Sequence, residues 1–71
     1  MDKWSEYGDI KDGGYIVKWI SNTRYLRIVN TGDTFRAEVK ETGNNYYDKK
    51  TGIDTLEEAK EEVEKMKDNL L

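Results

Sequence analysis

The spacing of apolar residues changes once along this chain, near residue 54, and that change points to an α+β fold. Downstream, Leu56, Ala59, Val63, Met66 and Leu70 recur at steps of three and four, the period of one helix face. Thr55 followed by Glu58 supplies a capping box at the start, and the glutamates of the first turn suit the positive end of a helix. An amphipathic helix over residues 55–71 follows. Upstream, Phe35, Ala37 and Val39 alternate with Arg36, Glu38 and Lys40, the two-residue period of a half-buried strand.

Parity orients the other strands. Arg24 to Asn30 reads as a strand with Leu26 and Ile28 inward, because the opposite choice buries Arg27. The same test on Tyr15 to Ile20 turns Val17 and Trp19 inward and Lys18 outward. Ser21-Asn22-Thr23, Thr31-Gly32-Asp33 and Thr42-Gly43-Asn44-Asn45 are turn-forming and short enough to join antiparallel neighbours. Tyr46 to Lys50 offers a short fourth strand before Gly52 turns the chain into the helix. Trp4 to Ile10 reads as an edge strand or a packed arm. The expectation is one domain over residues 1–71, with an arm or edge strand (1–14), a three- to four-stranded antiparallel β-meander (15–50) and a C-terminal amphipathic helix packed on one face.

A 71-residue domain hides only about 60% of the surface its unfolded chain exposes. Disulfides or a metal often make up that shortfall, but this chain contains no Cys and no His. Stability must come from packing, with two tryptophans, five tyrosines and one phenylalanine to supply area, or from self-association. The same absences remove the usual general base near neutral pH, the thiolate nucleophile and the favoured zinc ligands. The acidic residues gather on the helix rather than around a pocket. A binding protein without cofactor or metal is therefore expected, not an enzyme. Asp9-Ile10-Lys11-Asp12-Gly13-Gly14 lacks the alternating oxygen ligands and terminal Glu of a calcium loop and reads as a turn. Lys49-Lys50-Thr51-Gly52 lacks the upstream glycines of a phosphate-binding loop. The charged N-terminus offers no apolar run for a signal peptide or membrane span, so a cytoplasmic protein is the default.

Twelve basic and fifteen acidic side chains give a net charge of -3. Residues 54–71 hold seven of the acidic and three of the basic groups, so the acidity belongs to the helix. On the outward sheet face, parity gathers Lys18, Tyr25, Arg27, Arg36 and Lys40, opposed by Glu38. Such a face can neutralise phosphates while its tyrosine stacks, or it is a solvated surface whose charges pair across strands. Ile16, Ile20 and Val29 share it, and the burial of Trp4 and Tyr7 is open, so a protein interface or a homodimer is a further use. On the helix, Glu57, Glu61, Glu64 and Asp68 form a line opposite the apolar stripe. That line imitates a row of phosphates or solubilises the helix beside Lys60, Lys65 and Lys67.

Phe35-Arg-Ala-Glu-Val-Lys, with Lys49-Lys50-Thr51-Gly52-Ile53-Asp54-Thr55-Leu56-Glu57-Glu58-Ala59-Lys60, resembles small β-meander-plus-helix proteins of phages and mobile elements. It is also similar to the arm-type DNA-binding domains of tyrosine recombinases, whose three-stranded sheet enters the major groove. That resemblance covers roughly residues 15–64 and implies DNA contacts from Arg27, Arg36 and Lys40, with Lys18 and Tyr25 beside them. The negative net charge looks more like the small phage inhibitors of host defence or replication proteins, anti-CRISPR proteins among them. The preferred expectation is a protein that occupies and modulates a macromolecular partner, most readily a nucleic-acid-handling protein. DNA binding through the sheet face and a self-associating structural subunit are the alternatives.

Overall fold

The computed structural model describes residues 4–43 and 45–70, for residues 45–47 and 70 the backbone alone. Five strands follow in chain order: β1 (Ser5–Tyr7), β2 (Tyr15–Trp19), β3 (Arg24–Asn30), β4 (Phe35–Glu41) and β5 (Asn45–Ile53). Each pairs antiparallel with the next, giving one sheet of order β1-β2-β3-β4-β5. Helix α1 (Leu56–Leu70) packs against β3, β4 and β5. The expected meander with a C-terminal helix is thus present with one strand more than the upper count. The segments at the two ends of the meander are strands: Ser5–Tyr7 at one edge, and β5, longer than the expected Tyr46 to Lys50, at the other. Asn44 in the expected last turn and Leu71 at the expected helix end lie outside the described residues.

The core lies between sheet and helix. Ile16, Leu26, Ile28, Ala37, Val39 and Ile53 contribute from the sheet, and Ala59, Val63 and Met66 from α1. Trp4, Ile20, Phe35 and Leu56 pack at its margin. The inward parity of β3 and β4 and the helix stripe are as the sequence predicts, with the Leu70 side chain outside the description. The Thr55 half of the capping box is present, since the Glu58 N–H donates to Thr55 Oγ1 at 3.1 Å.

Two local devices complete this layer. Residues Ile10–Asp12 form a 3-10 turn that buries Ile10 in the core. Asn30 anchors the turn by donating from Nδ2 to the Ile10 carbonyl at 2.7 Å. In β5, the register moves from Ala37 opposite Lys50 to Phe35 opposite Ile53, three residues against two, which is a β-bulge. Gly52 sits in it at φ 72°, a left-handed conformation that favours glycine. The bulge shifts the alternation by one and delivers Ile53 to the core before the chain enters α1. Gly52 therefore acts within the strand rather than as the turn expected from sequence.

Strand β2 overturns its sequence parity. Residues opposite one another across antiparallel strands share a face. Ile16 faces Ile28 and Lys18 faces Leu26, so Ile16 and Lys18 point to the helix side. Ile20 packs against the core on that side as well. Val17 and Trp19 face Arg27 and Tyr25 on the outer side. Lys18 escapes the cost of an unpaired buried charge by donating to Glu64 Oε2 on α1 at 2.6 Å, with its Nζ 5.9 Å from the Trp4 ring centre. Among the described residues no helix is long and apolar enough to cross a membrane.

Candidate functional site

Helix α1 covers one face of the sheet and leaves the other as the outer face. The corrected parity of β2 places Tyr15, Val17 and Trp19 there, and β1 adds Tyr7 opposite Tyr15. From β3 come Tyr25, Arg27 and Val29, and from β4 Arg36, Glu38 and Lys40. Four of the five residues expected on this face, Tyr25, Arg27, Arg36 and Lys40, are brought together. The fifth, Lys18, is on the opposite side against the helix.

The aromatic side chains form two cross-strand pairs. Tyr7 and Tyr15 stack with ring centres 5.2 Å apart and planes 12° from parallel. Trp19 and Tyr25 meet at 4.8 Å, tilted by 44°. The pairs wall an open basin of about 390 Å³ whose described lining is completed by Val17, Arg27, Thr42 and Gly43. Tyr7 and Trp19 keep 47% and 49% of their surface exposed, a large share for aromatic side chains. The sequence carried a signal for this arrangement. Ile16 and Ile20 have no polar atom and belong in a core, whereas Tyr15 and Trp19 have a polar tip that tolerates a wet surface.

The cations of this face are engaged. Glu38 is fully buried, and Arg27 Nε donates to its Oε1. Arg36 Nε stands 2.9 Å from Oε2, within ion-pair range but out of line for a hydrogen bond, so neither atom has a hydrogen-bond partner among the described residues. The Arg27 guanidinium also lies 5.5 Å from the Tyr15 ring centre. Lys40, expected to be outward and available, is only 4% exposed.

The acidic helix line is broken at its third member. Glu57, Glu61 and Asp68 are exposed, but Glu64 is half-buried between Lys18 and Lys67, the latter at 2.8 Å. Hydrogen bonds from Lys18 and then Lys67 hold the Glu64 carboxyl below its ordinary value, against the upward push of burial. On the neighbouring turn, Glu62 is lowered chiefly by the Lys50 ammonium at 3.0 Å. These carboxylates fasten the helix to the sheet. Among the described residues no group of three or more acidic side chains is arranged to hold a metal ion. No family model, no curated protein and no solved structure matches this chain.

Proposed function

We propose that this chain is a binding module whose outer sheet face receives a protein partner and acts by occupying it. The observation that carries this reading is two aromatic pairs, each with one exposed ring, around an open basin while Arg27 and Arg36 converge on one buried carboxylate. Exposed tryptophan and tyrosine are the usual anchors of protein interfaces, since they bury large area and lose few rotamers. Duplex DNA draws most of its affinity from cations neutralising phosphates. Guanidinium groups engaged by Glu38 are poorly placed for that, which favours the protein reading over a DNA one.

The test is selection from a random peptide library displayed on phage, with the full chain as bait and Tyr25→Ala as counter-bait. Enrichment of peptides that bind the parent and not the variant is expected. Failure to enrich such peptides, together with salt-sensitive binding of a mixed-sequence duplex between about 50 and 200 mM salt, would replace this reading with the DNA one.

A further inference from the structure

Resting on the reading of the outer face as a protein-binding surface, we propose that its ligand is a proline-rich segment. The segment would lie along β2 between the Tyr7–Tyr15 and Trp19–Tyr25 pairs, in the polyproline II conformation. The first argument is the balance of donors and acceptors. The polar groups of the lining side chains are the hydroxyls of three tyrosines and Thr42, the Trp19 indole N–H and the Arg27 guanidinium, all able to donate, and no carboxylate or amide side chain lines the basin among the described residues. Glu38, opposite Arg27 on β4, is engaged by two arginines. A donor-rich wall suits a ligand rich in acceptors and poor in donors. Polyproline II leaves every backbone carbonyl unpaired, and proline has no N–H to satisfy. An α-helical ligand would present few free carbonyls along its length.

Shape agrees with this. Tyr15 and Trp19 are four residues apart on β2, about 13 Å at strand rise. One polyproline turn of three residues advances about 9 Å, so a segment of about four residues spans both aromatic pairs. Proline rings pack flat against aromatic faces, and the preformed conformation loses little entropy on binding.

Charge excludes two competitors. A methylated ammonium seeks an aromatic face, but the guanidinium of Arg27 already lies over Tyr15. A nucleic-acid strand brings one negative charge per nucleotide, whereas Arg27 of the lining shares the Glu38 carboxylate with Arg36 and Lys40 is buried.

The experiment titrates a fluorescein-labelled decaproline peptide with the full chain and follows anisotropy. A Tyr25→Ala variant and a Tyr7→Ala variant are titrated alongside, with circular dichroism checking that each folds. Glu57→Ala on the helix serves as control. Saturable binding is expected, weakened at least about tenfold by either tyrosine variant and unchanged by the control. Two tyrosine variants keep the test open should one fail to fold. If decaproline does not saturate up to about 1 mM while library-selected peptides without proline bind through Tyr25, the proline inference falls and the binding face stands. If no peptide binds, both fall. If a ten-nucleotide single strand binds through Tyr25 instead, the occupant is a nucleic acid and both protein readings are overturned.

Discussion

At the scale of single residues, the outer face is organised by one carboxylate. Glu38 has no exposed surface, and two arginines converge on it from neighbouring positions of β3 and β4. Replacing it by glutamine removes the negative charge that Glu38 supplies to both cations. A cost of about 2 kcal/mol is expected in urea unfolding, less than the roughly 3–5 kcal/mol of an enclosed pair because the arginines reach solvent. The same Glu38→Gln change removes one negative charge from the outer face, so affinity for duplex DNA at about 50 mM salt should rise. DNA binding that stays unchanged would contradict the view that Glu38 neutralises these side chains. Lys18 shows where residue-level reading of the sequence stops. The rule that turned it outward is sound for an unpaired charge, but its partner Glu64 lies 46 positions away on another element. Local parity carries no information about such a partner, and both faces of Tyr15 to Ile20 are apolar enough to be buried. The Lys18–Glu64 pair also sets a pH dependence. The folded-state pKa of Glu64 lies below its ordinary value of 4.5, so its contribution is complete above that value and is lost as pH falls through the lowered one. Thermal melts of the parent and Glu64→Gln should differ by up to about 1 kcal/mol near pH 6 and converge on acidification. A gap that widens towards pH 3 would contradict the assignment.

At the scale of elements, the change of period near residue 54 and the alternation in β3 and β4 were fully legible in the sequence, because each reports a local face. The continuation of the last strand beyond the short segment Tyr46 to Lys50 and the bulge were not. A stretch of Asp48, Lys49, Lys50 and Thr51 has no apolar alternation, and it is a strand because β4 pairs with its backbone. Its helix-facing Lys50 reaches Glu62 of α1 at 3.0 Å in an exposed ion pair, and Ile53 at its end is buried in the core. Gly52 is the hinge of this arrangement. A Cβ added there meets nothing within 4 Å, so Gly52→Ala tests backbone conformation alone. A loss of roughly 1 kcal/mol in chemical unfolding is expected. A neutral substitution would show that the left-handed conformation is not required to bring Ile53 into the core.

At the scale of the whole molecule, the radius of gyration of 11.1 Å matches the roughly 11 Å expected of a compact chain of this length. Stability at this size is on the order of 4–10 kcal/mol, so core truncations are dangerous. Leu26→Ala, at a position with no exposed surface, should cost about 3 kcal/mol, whereas Tyr7→Ala at the exposed sheet edge should cost under about 1 kcal/mol. That contrast, read by urea unfolding of both variants, separates the face that holds the fold together from the face available for binding. The measurement that bears most directly on the binding face is amide chemical-shift mapping of the full chain, isotopically labelled, with a library-selected peptide. Shifts are expected to concentrate on Tyr7, Tyr15, Val17, Trp19, Tyr25 and Arg27 and on the adjoining Thr42–Gly43 turn. Shifts confined to the helix ridge of Glu57, Glu61 and Asp68, with the outer sheet face silent, would contradict it.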